Sequence, residues 1–302
     1  MRMTVAAPAK INLFLDITGR RSDGYHLINT VMQTVSLFDD VTVTIDKSRE
    51  DISVSCTDDE IPCDSTNTAY AAAEEFFEYT EIPRVGVSVK IKKRIPSGAG
   101  MAGGSTDAAA VIFALNEMLE TDLGMEELAE IGENVGADVP FCIYGGTMSA
   151  GGIGTILSPL PDMPDCYIVI VKPEFKVSTK DAYEKSDSVG YENCKSSEAL
   201  TNAVCNGNVE AISDNLYNKF EEVVDIDEIS DIKALMKKYG AAGEVMTGSG
   251  SAVFGIFEDK SDADDCRQKL EEYYEKVYLL KPVPHGPKQI SSGGIFGMFG
   301  EE

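Results

Sequence analysis

Apolar residues recur at every second position through Ile11, Leu13, Leu15 and Ile17, through Val41, Val43 and Ile45, and through Val85, Val87, Val89 and Ile91. Successive side chains of an extended chain point to opposite faces, so this pattern predicts half-buried antiparallel strands in the first half. A change of period marks the helices. Ala69, Ala72, Ala73, Phe76 and Phe77 fall on one side of a helix that Asn67 or Thr68 caps and that runs through Tyr79; two more are expected over about 105–119 and 126–135. After Gly154 a fresh strand is expected over 167–171, then helices near 197–204, 209–216 and 229–239, the last stopped by Gly240. Strands over 252–257 and 277–280 bracket a helix of about 262–274, so the second half reads as α+β. The proline-rich stretch 158–164 suggests a boundary near residue 160, giving domains over 1–160 and 161–285; the glycine-rich tail, 286–302, reads as mobile or loosely docked.

Charge narrows the partners. With 51 acidic against 26 basic residues the formal net charge is -25, a surface that repels nucleic acid. No 18-residue apolar run suggests a membrane span, and the first residues lack the apolar core of a signal peptide. The seven cysteines include no C-x-x-C pair, which argues against a disulfide framework or zinc site and for the reducing cytoplasm. A polyphosphate site on such an anionic protein must bring its own positive potential. One basic cluster, Lys90, Lys92, Lys93 and Arg94, runs into a glycine-rich loop, although by itself it reads as a solvated strand face.

That loop comprises Pro96, Ser97, Gly98, Ala99, Gly100, Met101, Ala102, Gly103, Gly104, Ser105 and Thr106. Gly98, Gly100 and Gly103 satisfy G-x-G-x-x-G, yet a dinucleotide fold wants a continuous apolar strand before it and an acidic residue ending the next strand. Here the strand is amphipathic and basic, and the positions about 20 residues on end a helix. A P-loop is excluded because the segment holds no lysine. What remains is a strand, a glycine loop and a helix beginning near Ser105. Such glycines let backbone N–H groups approach an anion, and the helix N-terminus adds partial positive charge. Ser105 and Thr106 would add hydroxyl groups or simply cap the helix.

Phosphoryl transfer needs placed phosphates, neutralised charge and a group that helps the acceptor hydroxyl lose its proton. Asp138, expected between a helix and an apolar strand, is the best base candidate, and Lys10 could steady charge on the acceptor oxygen. A third segment, 246–252, packs two glycines among three hydroxyl residues; it is either a tight turn or a second wall of the phosphate site.

Three strings in this order, PAKINLFLDITGRRSDGYH (8–26), IPSGAGMAGGSTDAA (95–109) and VMTGSGSAVFGIF (245–257), resemble the GHMP kinase superfamily. The resemblance implies an α+β fold: an N-terminal domain like ribosomal protein S5 domain 2 and a C-terminal ferredoxin-like domain. It also implies an ATP-dependent, Mg²⁺-requiring kinase. The N-terminal string is similar to members that phosphorylate the 2-hydroxyl of a cytidyl-diphosphate-linked methylerythritol in non-mevalonate isoprenoid biosynthesis. Carried over, Asp138 would be the base with Lys10 beside it, Asn12 would bond the methylerythritol part, and residues 96–106 would hold the triphosphate. Tyr25 and Tyr183 would sandwich the cytosine, His26 would bond its edge, and Asn67 would contact the adenine. The open alternatives are a kinase of the same superfamily acting on homoserine, mevalonate or a sugar, and a non-catalytic nucleotide-binding protein. Nothing in the sequence sets the oligomeric state.

Overall fold

The computed structural model describes residues 1–191, 194–224 and 226–290. The first half contributes strands β1 (Arg2–Arg20), β2 (His26–Asp46), β3 (Ile52–Cys56), β4 (Gly86–Lys92), β5 (Thr147–Gly151) and β6 (Ile156–Pro159). Between them lie helices α1 (Thr68–Thr80), α2 (Gly103–Leu119), α3 (Met125–Val135) and α4 (Val139–Tyr144). The second half adds β7 (Tyr167–Lys172), α5 (Thr179–Val189), α6 (Glu198–Cys205), α7 (Val209–Asp214), β8 (Tyr217–Asn218) and α8 (Asp227–Lys238). It closes with β9 (Gly243–Met246), β10 (Val253–Phe257), α9 (Lys260–Glu271), β11 (Lys276–Leu280) and β12 (Lys288–Gln289).

Two sheets result. The larger runs β12-β1-β2-β4-β3, with β5 on β2, β6 on β5 and β8 on β1; the smaller runs β11-β7-β10-β9. The three expected strands do pair antiparallel, β1 with β2 and β2 with β4; β3, which the alternation did not mark, pairs parallel with β4 because α1 carries the chain across between them.

The expectation of half-buried strands fails at β1. From Val5 to Ile17 it is buried on both faces, polar residues included. Its pairing with β2 is irregular between Pro8 and Ala9, and such an irregularity switches the side on which odd positions lie. Val5 and Ala7 accordingly pack into the core of α1 and α2, whereas Ala9, Ile11 and Leu13 pack against Ile168, Ile170 and Phe254 of the smaller sheet. Lys10 and Asn12, alternating with these, take the other side.

Two further expectations are corrected. Residues after Asp138 form α4 and not a strand, because Pro140 sits in the first turn, where a missing N–H costs nothing. The expected loose tail is docked at its start: β12 pairs antiparallel with β1, and Ile290 donates its N–H to Thr4 O. A β-carbon on Gly145, at φ +66°, would lie 2.0 Å from Gly286 N, so the returning chain fits only over glycine there. The rest of the expected tail, 291–302, lies outside the described residues.

Candidate active site

The glycine loop is held rigidly from both sides. Lys10 donates its N–H to Met101 O and Ala252 donates its own to Ala99 O. Gly100 meets the second glycine segment backbone to backbone: with φ +73°, a β-carbon there would lie 2.1 Å from Thr247 O. α2 begins at Gly103, two residues earlier than expected, after Ala102 in the left-handed region and with no side-chain cap. Its first N–H groups are therefore left for an anion.

The hydroxyls expected here divide. Thr106 is fully buried and donates to Pro8 O, so its hydroxyl is spent on the fold and does not face the loop. Ser97 Oγ donates to Asp58 Oδ2 at 3.2 Å. Asn67 is the N-cap of α1: its amide accepts from Ala69 N and donates to Pro62 O, so it serves first to fix the start of that helix. It bears on the loop indirectly, since the adjoining Thr68 donates its hydroxyl to Gly104 O at 2.7 Å.

The basic cluster is not the uniform solvated face expected. Lys93, with its side chain only 6% exposed, makes ion pairs with Asp39 at 2.5 Å and Asp107 at 2.7 Å, both buried. Burial opposes the charge on Lys93, but Asp107 and Asp39 outweigh it and raise its pKa. Burial pushes Asp107 up to about 8 against the pull of Lys93. Asp39 Oδ1 also accepts the N–H groups of Arg94 and Ile95. One lysine thus ties β2, the entry to the loop and the first turns of α2. Arg94 forks onto Asp40, while Lys90 and Lys92 stay exposed.

Two cavities flank the loop. A smaller one of about 190 Å³ is lined by Lys10, Asn12, Gly98, Gly100, Ala102, Asp138, Thr179, Tyr183, Phe220 and Gly248 to Gly250. Lys10 Nζ lies 3.6 Å from Asp138 Oδ2, the lysine buried and the aspartate 40% exposed, and donates to Asn12 Oδ1 at 2.7 Å. The second cavity, about 880 Å³, opens on the other side beside Ile95, Pro96 and Ser97. Lys93, Arg94, Lys172, Lys176 and Lys276 also line it, five of the chain's 26 basic residues gathered in one place. Asp58, Asp59, Glu60, Glu174, Glu228 and Glu275 line it as well, so its charge is mixed and the positive potential for a polyphosphate falls to the N–H groups of the glycine loop and of the start of α2.

At the far end of the smaller cavity the expected aromatic sandwich is rearranged. His26 stacks on Tyr183, with ring centroids 4.4 Å apart at 22°, so it covers a face on which a base would lie with Tyr25 opposite. Tyr25 is 61% exposed at the β1–β2 turn. Burial raises the Tyr183 hydroxyl to about 12, and Phe220 meets its ring edge-on at 4.9 Å. Asp187, which sequence reading missed, accepts from His26 Nε2 at 2.7 Å and Arg20 Nη1 at 2.8 Å, and also from the Tyr191 hydroxyl. That hydroxyl, then His26 and Arg20, hold its carboxyl below the usual range. Only Tyr191 is local to Asp187, four residues on; His26 and Arg20 arrive from 161 and 167 residues away, so the sequence does not mark the cluster.

Among the described residues no cluster of three His, Cys, Asp or Glu side chains could hold a metal ion, no helix is long and apolar enough to cross a membrane, and all seven cysteines are free thiols.

Residues 67–146 match the family described as GHMP kinases N terminal domain, and residues 200–276 match GHMP kinases C terminal. The 4-diphosphocytidyl-2-C-methyl-D-erythritol kinase of Clostridium tetani (strain Massachusetts / E88) is 41% identical over 284 residues, covering 93% of this chain and all of the relative. That of Caldicellulosiruptor bescii is 44% identical, covering 92% and 97%. A crystal structure of 4-(cytidine 5'-diphospho)-2C-methyl-D-erythritol kinase aligns with a TM-score of 0.77 at 30% identity, covering 93% of this chain and 99% of that one. Homoserine kinase from Cytophaga hutchinsonii reaches the same TM-score at 20% identity, which speaks for the fold alone. The chain belongs to the GHMP kinases, and within them to the 4-diphosphocytidyl-2-C-methyl-D-erythritol kinase family.

Proposed function

We propose that the protein transfers the γ-phosphoryl group of ATP to the 2-hydroxyl of 4-diphosphocytidyl-2-C-methyl-D-erythritol, a step toward isoprenoid precursors by the non-mevalonate route. The observation that carries this reading is the Lys10–Asp138 pair opening onto a cavity walled by both glycine segments. The triphosphate lies along the N–H groups of the glycine loop and the start of α2, with the nucleoside end in the larger cavity. The acceptor alcohol enters the smaller one.

There its oxygen attacks the γ-phosphorus, the bond to the leaving ADP oxygen breaks, and the hydroxyl proton passes to an Asp138 oxygen. Lys10, held by Asn12, places its ammonium beside the developing charge. Magnesium, when bound with ATP, would supply charge neutralisation at the phosphates. The cytidyl group lies toward His26, Tyr183 and Tyr25, with His26 swinging from Tyr183 to admit the base. Asn12, with its amide committed to Lys10, Thr30 and the Thr247 hydroxyl, orients Lys10 and reaches the methylerythritol part from the cavity wall.

The test is ADP release from Mg-ATP with the cytidyl substrate beside mevalonate, homoserine and galactose, for wild type and Asp138→Ala. Turnover confined to the first and lost in the variant is expected. Turnover of another alcohol instead sinks the substrate assignment, and full activity of the variant sinks the role of Asp138.

A further inference from the structure

One hydroxyl joins the acceptor side of the catalytic cavity to its phosphate side. Thr247, directly after β9, is fully buried; Gly248, Ser249 and Gly250 line the cavity and Thr247 lies behind them. Its Oγ1 accepts the N–H of Asn12 at 3.0 Å. Its own proton has Gly100 O at 3.2 Å, with Asn12 Oδ1 at 3.5 Å as a poorer alternative. Asn12 Oδ1 receives Lys10 Nζ, which faces Asp138. A side chain 235 residues along the chain from Asn12 thus touches the strand that carries the lysine and the loop that approaches the phosphates.

The fit around it is close. The pairing of β1 with β2 is irregular between Asn12 and Phe14, and at that irregularity Asn12 donates outward to Thr247. On the other side Gly100 has no room for a β-carbon against Thr247 O, and Gly248, at φ +55°, has none against Gly100 Cα. Backbone contact sets how near the two segments come, and the hydroxyl sets their register along the strand.

We propose that Thr247 is a positioning residue for phosphoryl transfer: it holds Lys10 and Asn12 in register with the glycine loop and acts through them, without touching substrate. The inference rests on the kinase reading above. Displacing reacting groups by about 1 Å costs on the order of 100-fold in rate, so one hydrogen-bonded junction between the two halves of the site has kinetic consequences.

The hydroxyl and the methyl of Thr247 are separable. Thr247→Val keeps the volume and removes the hydroxyl; Thr247→Ser does the reverse. With saturating Mg-ATP and the acceptor that wild type turns over, T247V is expected to lose roughly 10- to 100-fold in kcat with the KM for the alcohol little changed, and T247S to stay within about threefold of wild type. A T247V enzyme with wild-type kcat, or a T247S enzyme that falls as far, overturns the proposal. Should T247V not fold, Thr247→Cys, whose thiol is a weak hydrogen-bond partner, replaces it with an expected loss of about tenfold. Wild-type turnover of a different alcohol sinks the substrate assignment and leaves this comparison standing. Independently of any acceptor, Asn12 amide exchange in the free protein is expected to quicken at least about tenfold in T247V and not in T247S; equal protection in both overturns the proposal.

Discussion

The two ends of the catalytic cavity are built differently. Around Gly100, backbone meets backbone: Gly100 against Thr247 and Gly248, Lys10 N against Met101 O, Ala252 N against Ala99 O, with the Lys93 triad beneath. Around Tyr183, side chain meets side chain: His26 on its face, Phe220 on its edge, Asp187 and Arg20 behind, on a hairpin turn and α5. The phosphate end has almost no freedom, because a main-chain contact cannot be adjusted by a rotamer. The base end can rearrange, and exposed pairs such as Arg20–Asp187 add little to stability. On the proposed function, reaction chemistry and substrate choice therefore reside in separately adjustable parts.

Four experiments would break or sharpen that contrast. The largest effect is expected from Lys93→Met, which leaves the Asp39 carboxylate buried beside Asp107 without its lysine counter-charge; urea midpoints should report a loss of about 3–5 kcal/mol. Gly100→Ala follows, combining a left-handed φ with a collision against Thr247 O. A loss of about 2–5 kcal/mol, with weakened ATP binding by titration calorimetry, is expected, and near-wild-type binding would refute the rigid phosphate end.

At the base end, His26→Ala should leave folding and ATP binding intact. It should raise the KM for the cytidyl substrate by roughly 5- to 150-fold, the equivalent of about 1–3 kcal/mol for one base contact. An unchanged KM would remove His26 from base recognition. The gentlest probe is pH. Asp107, raised to about 8, binds a proton in the folded state at pH values where the unfolded chain has lost it. Its contribution is thus complete below about pH 4, declines as pH rises toward 8 and is lost above it. Asp107→Asn should lack that decline, so the urea-midpoint difference between variant and wild type should grow from pH 5 to pH 8 in favour of the variant; parallel profiles would place the proton elsewhere.

Most of the periodic elements were legible. The strands through Val87 and Val169 and the helices over α1, α3 and α8 lie within a few residues of where periodicity and caps put them. The failures have local causes. α4 was mistaken for a strand because six residues are too few for helical periodicity to declare itself. Lys93 read as solvated because alternation along one strand says nothing about α2 lying over it. Strand alternation alone does not aim Lys10 at Asp138, since the irregularity at Pro8 and Ala9 decides which face it takes.

The sequence by itself determined the family, through three strings whose residue types serve local backbone needs: glycines for close approach and caps for helix starts. Such requirements act over a few residues and leave their mark in the chain. Tertiary structure alone decided which polar side chains became a site. Lys10 with Asp138, Thr247 with Asn12, Asp107 with Lys93 and Asp187 with His26 meet only after folding. Burial then turns ordinary charges and hydroxyls into fixed partners, because a buried polar group left unpaired costs more than the fold can spare.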